Sequence, residues 1–362
     1  MTEFDNKNIT LIIGNGFDIS LGLNTRYSDF IEYINPQHFL DNKITAEYIA
    51  LNDEANPETK EQAKAHVALR NNELFKDLCS KKHEKWIDIE YELENNAIKH
   101  IEEHNKVNEY YLFPTYKTIL NYPIVDKQNY NQIKYKLKKY LKHIDANFQL
   151  KRIDKPASNL VYSIFDKRRR KERNSSTYFD LTTNDLKDGV INILNFNYTN
   201  TFNKIVRHMQ ESHILFEHEF PHYKHIHVHG SVDKEIVFGI DDKVHVNEDY
   251  VYLLKSCDKS TQNLNFNNIL NHSKIIIFFG YSLGVSDASY FEDFFNSLCE
   301  HNDIDEKSKR KIVFYYKGEE NYLKLFFRLK ELTSHNTAKL LRYNRILFID
   351  VDHYESCFEP ND

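Results

Sequence analysis

Glycine is nearly missing from this sequence. Nine of the 362 residues are glycine, where an average protein holds roughly 7%. The glycines that remain mark backbone dihedrals that a side chain would forbid, or places where a ligand must approach the main chain. Seven of the nine fall in three short segments: Gly14, Gly16 and Gly22 in IIGNGFDISLGLN, Gly230 and Gly239 in HVHGSVDKEIVFGIDD, and Gly280 and Gly284 in FFGYSLGVSD. Any one alone reads equally well as a tight turn. Each follows a β-like apolar run, however, which is how a nucleotide site at strand ends would look.

Cysteine is sparse too. Cys79, Cys257, Cys299 and Cys357 are far apart and include no C-x-x-C pair, so neither a zinc knuckle nor a disulfide framework is indicated and a reducing cytosol is the simplest compartment. The opening MTEFDNKNIT carries acids and no apolar segment of the signal-peptide kind. The longest apolar stretch, IIIFFGYSLGV, is too short for a bilayer, which takes about 20 residues, so no membrane role is expected. Positive charge is in deficit, with 48 Lys and Arg against 54 Asp and Glu for a net −6; a chain built mainly to hold nucleic acid is normally basic. The first glycine segment lacks the Lys-Ser or Lys-Thr of a P-loop. It also lacks the third glycine of the dehydrogenase fingerprint, since position 19 is Ile19 and the next glycine is Gly22. No internal repeat and no low-complexity linker divides the chain.

What is present is an alternation of strand and helix signals. ITLIIG (9–14), VINILNFNYT (190–199), KHIHVHG (224–230), KIIIFFGYSL (274–283), KIVFYYK (311–317) and RILFIDV (345–351) carry strong strand signals, and most are near-continuous apolar runs, suited to parallel strands covered on both faces. Helical patterns such as YFEDFFNSLCEHN and YLKLFFRLKELTSH lie between them. The expected fold is an α/β doubly wound parallel sheet of Rossmann type. Before residue 190 the character changes to amphipathic segments with charged faces, including one from Thr59 onward and NQIKYKLKKYLKHIDANFQL. Residues 1–25 and 185–362 are therefore expected to form the sheet domain, with 26–184 a large helical insertion.

The glycine segments resemble the cofactor loop and three further signatures of sirtuins. The sirtuin loop Gly-Ala-Gly-Ile-Ser, three variable residues and Gly-Ile-Pro matches, without a gap, Gly14-Asn15-Gly16-Phe17-Asp18 and then Gly22-Leu23-Asn24. The family's Thr-Gln-Asn-Ile-Asp is similar to Asn195-Phe196-Asn197-Tyr198-Thr199, its His-Gly-Ser to His229-Gly230-Ser231, and its Gly-Thr-Ser-Leu to Gly280-Tyr281-Ser282-Leu283. The resemblance implies a sirtuin-like NAD site containing Gly14, Asn15, Gly16, Phe17, Asp18, Gly22, Thr199, Gly230, Gly280, Tyr281 and Ser282. The departures count against protein deacetylation: Asp18 and Thr199 replace a serine and an aspartate, Thr25-Arg26-Tyr27 stands in place of Asp-Phe-Arg, and the cysteine-rich zinc module is missing.

A second resemblance covers most of the chain. GNGFD with GLNTRYSDF, then WIDIE, NFNYTN and HIHVHGS with FGID, is similar to the bacterial AbiH family of phage abortive-infection proteins. This implies antiviral defence but specifies no reaction. By analogy with other sirtuin-like defence proteins, the expected activity is hydrolysis of the nicotinamide–ribose bond of NAD, with Asn197 and His229 as the catalytic pair. Asn197 would orient a water or the ribose, and His229 would accept a proton. Nicotinamide leaves a cationic pyridinium as a neutral molecule, so no strong general acid is required. Two alternatives stay open: a nucleotide sensor of the same fold without turnover, and a nucleic-acid-targeting toxin. A phage-derived trigger and a homo-oligomer are further partners consistent with this reading.

Three other signals have plainer readings. HIHVH places His225, His227 and His229 on one strand face, and His218 or His222 could join them at a metal, but no carboxylate or cysteine is placed by motif, so no metal is expected. The basic run DKRRRKERNSS (166–176) reads as a solvated face. KWIDIEYELE, with Trp86, Asp88, Glu90, Glu92 and Glu94, reads as a helix with an acidic face. Glu90 stands apart because the family resemblance passes through it. Asp18 has an alternative role as a helix cap or turn anchor.

Overall fold

The computed structural model describes residues 8–36, 39, 43–80, 89–95, 126–150, 155–165, 189–212, 222–246, 248–258, 264–300 and 309–353. The basic run 166–176, Trp86, Asp88, His218 and Cys357 lie outside the described residues. The chain divides into two compact units, one formed by Met1–Leu23, Asp145–Glu235 and Asn263–Asp362, the other by Asn24–Ile144 and Ile236–Gln262.

The first unit is built on one sheet. Strands β1 (Asn8–Ile13), β2 (Ile191–Asn195), β3 (Tyr223–His227), β4 (Ser273–Phe279), β5 (Lys311–Tyr316) and β6 (Arg345–Asp350) pair in the order β3-β2-β1-β4-β5-β6. All five pairings are parallel. This is the Rossmann-type order, in which the chain reverses its direction of growth between β1 and β4. β1 (NITLII), β2 (INILN) and β5 (KIVFYY) are buried almost throughout, as central strands must be when helices cover both faces. The edge strands β3 (YKHIH) and β6 (RILFID) are more polar and more exposed.

Alternation along the strands sorts their side chains into two cores. On one face Ile9, Leu11, Ile13, Ile193, Ile277 and Val313 pack with helices α1 (Asn15–Ser20), α2 (Pro156–Phe165) and α3 (Thr201–Glu211). On the other, Ile12, Leu194, Ile276, Phe278, Ile312 and Phe314 pack with α4 (Phe266–Asn271), α5 (Ala288–Ser297), α6 (Gly318–Leu332) and α7 (Thr337–Tyr343). The sheet is thus doubly wound. The phenylalanines of the second face stack in register, Phe278 on Phe314 at 4.6 Å between centroids and Phe314 on Phe348 at 5.4 Å, because residues paired across parallel strands point the same way.

Helix α2 belongs to the sheet unit, whereas the sequence reading groups it with the insertion. Its physical reason is visible in PASNLVYSIF: eight of its ten residues are buried, and a helix apolar on nearly all sides has to sit inside a core. Conversely, residues 236–262 fall in the helical unit.

That second unit contains helices Tyr27–Ile34, Lys43–Leu51, Pro57–Leu69, Glu73–Ser80 and most of Lys127–Asn147. Asn56 caps the third of these, its side chain accepting from the backbone of Glu58 and Thr59 ahead of Pro57 in the first turn, an arrangement that satisfies donors the helix cannot. Buried Glu90 accepts from Lys255 Nζ at 3.0 Å and from Gly239 N at 3.3 Å, so Glu90 pins the segment around Gly239. A Cβ at Gly239 would come within 2.1 Å of the Leu253 carbonyl oxygen, which explains that glycine by packing. Tyr140 donates its hydroxyl to the Asn24 carbonyl at 2.7 Å. Tyr140→Phe is expected to cost about 0.5–1.5 kcal/mol, the net worth of such a bond, and a urea denaturation midpoint equal to wild type would refute that role.

Candidate functional site

The carboxyl ends of β1, β2, β3 and β4 each run directly into one of the segments singled out in the sequence. Gly14 follows β1, Phe196 and Asn197 follow β2, Val228 and His229 follow β3, and Gly280 follows β4. The crevice at the reversal of strand order is where open parallel sheets bind ligands.

At the reversal point itself, glycine is required by packing. Gly16 N donates to the Gly280 carbonyl at 2.8 Å, and Gly14 N to the Phe279 carbonyl at 3.1 Å. A Cβ on Gly16 would lie 2.6 Å from Gly280 Cα, and one on Gly280 would lie 2.4 Å from Gly16 C and Phe17 N. Gly280, Gly22 and Gly230 also have positive φ, at 59°, 90° and 72°. The Gly16 amide, part of the implied NAD site, is therefore engaged by the neighbouring loop. Phe17 is fully buried, edge-on to Phe279 at 5.9 Å, so its side chain serves the core. Asn15 and Gly230 are partly exposed, and Ser282 is exposed.

Asp18 and Thr199 form one cluster. Thr199 Oγ1 donates to Asp18 Oδ2 at 2.5 Å and Thr201 Oγ1 to Asp18 Oδ1 at 2.6 Å; all three residues are buried. Asp18 is not a helix cap, because the cap position of α1 is Gly14, which makes no side-chain cap hydrogen bond. It clasps the loop after β1 to the loop after β2. Thr201, absent from the sequence reading, completes the clasp, and its only signal was a second hydroxyl two residues beyond Thr199. Burial pushes the Asp18 carboxyl up to about 6, against the opposing pull of the Thr199 and Thr201 hydroxyls.

A carboxyl that holds its proton more tightly folded than unfolded favours the native state at low pH. That contribution is complete below the unfolded value near 3.9 and is lost as pH rises to about 6. The span corresponds to about 3 kcal/mol. Asp18→Asn, which is neutral at every pH, is expected to raise stability at pH 7 by up to about that amount and to flatten the dependence between pH 4 and 6. Urea titrations of both proteins at pH 5 and pH 7.5 measure this, and equal pH slopes would contradict it.

Asn197 is held on three sides. Its Nδ2 donates to the Gly14 carbonyl at 3.0 Å, its backbone N to Asn195 Oδ1 at 2.9 Å, and its carbonyl lies 3.0 Å from His227 Nδ1. His225 makes ring contacts on both nitrogens, Nδ1 with Asn203 Oδ1 at 2.9 Å and Nε2 with Asn195 Nδ2 at 3.3 Å. Burial, helped by neighbouring His227, pushes the His225 pKa down to about 3, and burial lowers that of His227 as well. Both rings are neutral supports for the loop after β2. His229 lies beyond the end of β3 and faces elsewhere, so the three histidines do not act together. Among the described residues no group of three His, Cys, Asp or Glu is placed to hold a metal.

His229 is 5% exposed, and its Nε2 lies 3.0 Å from Asp287 Oδ1, off the line of an ideal ring N–H hydrogen bond. Asp287, 7% exposed, accepts from the Tyr281 hydroxyl on Oδ2 at 2.8 Å. Phe196 packs against Tyr281 at 4.4 Å and edge-on to His229 at 5.1 Å, while Tyr290 approaches His229 at 6.1 Å. Asp287 was missed in the sequence; a carboxylate seven residues after Gly280, in GYSLGVSD, was the signal available.

No helix among the described residues is long and apolar enough to cross a membrane. No curated protein and no solved structure matches the chain. A family model described as Bacteriophage abortive infection AbiH matches residues 10–316, which take in β1 from Thr10 and the whole of β2 to β5. The chain belongs to the AbiH family, and its role is in bacteriophage abortive infection.

Proposed function

We propose that the protein is an anti-phage effector with a sirtuin-like core that binds NAD and hydrolyses its nicotinamide–ribose bond. The observation that carries this reading is a near-buried imidazole, His229, set beside the Asn197 loop at the carboxyl ends of adjacent parallel strands. His229 Nε2 faces Asp287 Oδ1 at 3.0 Å, and Nδ1 is the ring nitrogen that would take the proton. Gly14, Asn15, Gly230, Gly280 and Ser282 are the residues that would border the dinucleotide.

In the reaction, the bond from the anomeric carbon to the pyridinium nitrogen breaks, and nicotinamide leaves with the electron pair as a neutral molecule. Water adds to the resulting oxocarbenium-like carbon, and His229 takes the proton that this water loses. NAD and water thus give ADP-ribose, nicotinamide and a proton. The Asn197 side chain, fixed on Gly14, holds the two loops that frame the reacting carbon and limits its own freedom to contact water directly.

That last point favours a second reading, a nucleotide sensor without turnover, since the Asn197 amide and the Gly16 N–H are both already engaged internally. The experiment follows free nicotinamide from purified full-length protein with NAD, alone and with extract of phage-infected cells, alongside calorimetry of NAD binding. Release supports the hydrolase. Binding without release under both conditions supports the sensor, and neither binding nor release rejects NAD as the ligand.

A further inference from the structure

We propose that Asp287 is the positioning residue of this site: it holds His229 in the tautomer that leaves Nδ1 as the proton acceptor. The proposal rests on the reading of His229 as the base.

A carboxylate has only acceptors, so the ring nitrogen it faces must carry the proton, and in a neutral imidazole the other nitrogen then has the lone pair. Asp287 Oδ1 lies 3.0 Å from Nε2, off the line of the ring N–H yet close enough for its charge to favour a proton on Nε2 and leave the lone pair on Nδ1. The relation is the mirror of the serine-hydrolase triad, where the carboxylate holds Nδ1–H and Nε2 does the work.

Two features show that this carboxylate is committed to the site. Asp287 occupies the cap position of α5, where an aspartate normally accepts from the first turn of its helix, yet it makes no side-chain cap hydrogen bond. Its second oxygen instead accepts from Tyr281 at 2.8 Å. Phe196 packs on both Tyr281 and His229, so carboxylate and imidazole are held by one aromatic wall. When Nδ1 takes a proton, the imidazolium forms 3.0 Å from a carboxylate that is poorly reached by water, where attraction is little screened.

The test uses full-length Asp287→Asn and wild type, each with 15N-labelled histidine. The amide oxygen of the variant can still accept from Tyr281, while its NH2 faces Nε2 and forces the ring proton onto Nδ1. Expected are an Nε2–H tautomer of His229 in wild type, an Nδ1–H tautomer in the variant, and a kcat for nicotinamide release about 10²–10⁴-fold lower with KM within about twofold. An Nδ1–H tautomer in wild type, an unchanged tautomer in the variant, or a raised KM with kcat retained would overturn the proposal. Should the variant not fold, the wild-type tautomer still decides. Tyr281→Phe is then the second variant, expected to keep the Nε2–H tautomer and lose about tenfold in kcat; a switched tautomer there would count against the assignment. If wild type releases no nicotinamide, the hydrolase reading fails while the tautomer measurement still reports on Asp287.

Discussion

His229→Ala is expected to abolish nicotinamide release, by at least about 10²–10⁴-fold in kcat, the range for removing a positioned general base, while NAD binding changes only a few-fold. Cells carrying the variant should lose protection against phage. The substitution also strips Asp287 Oδ1 of its imidazole neighbour while Oδ2 keeps the Tyr281 hydroxyl, and removing one partner of a buried charge destabilises, so loss of activity alone would not separate chemistry from folding. His229→Gln keeps an amide donor near Asp287 and should retain the fold while remaining inactive. If either folded variant still releases nicotinamide at the wild-type rate, His229 is not the base. Asn197→Ala should behave differently: it leaves the Gly14 carbonyl without its 3.0 Å partner and loosens the loop, so both KM and kcat are expected to move.

The second large effect concerns the fold. Gly280→Ala introduces a Cβ 2.4 Å from two backbone atoms of the loop after β1, at a φ of +59°. The left-handed conformation costs about 1–2 kcal/mol for a residue with a side chain. The overlap adds about 1–3 kcal/mol or more, because backbone on both sides cannot rotate away as a flexible side chain would. A total loss of about 2–5 kcal/mol is expected, seen as a lowered urea midpoint of the sheet unit. By contrast a Cβ at Gly284 meets nothing closer than 3.9 Å, and Gly284→Ala is expected to fall within about 0.5 kcal/mol of wild type. Similar midpoints for the two variants would show that the contact at the reversal point is not a constraint.

The sheet was legible because its signal is redundant. The inner strands β1, β2, β4 and β5 are mostly apolar runs, and in a parallel sheet burial on both faces makes such runs nearly continuous. The glycine segments were legible as strand ends, but the reason for their glycines was only half visible: Gly16 and Gly280 are more than 260 positions apart, and nothing local announces that their backbones touch. Thr201 and Asp287 escaped for the same reason, since the partners that give them meaning, Asp18 and His229, lie on other loops. Helix α2 escaped because proximity to charged segments masked its own composition. PASNLVYSIF carries no charge at all, and read alone it is a core helix.

The site is scattered through the chain in an order that has a consequence for its synthesis. Gly14 and Asp18 leave the ribosome early, Asn197 and His229 follow after the helical segment, and Asp287 comes only after β4. A nascent or prematurely terminated chain that stops short of β4 has His229 but neither Gly280, which seats the first loop, nor the carboxylate that faces the imidazole. Under the proposed hydrolase reading, incomplete copies are inert by topology alone, since the central strand β1 cannot acquire its second neighbour until some three-quarters of the protein has been made.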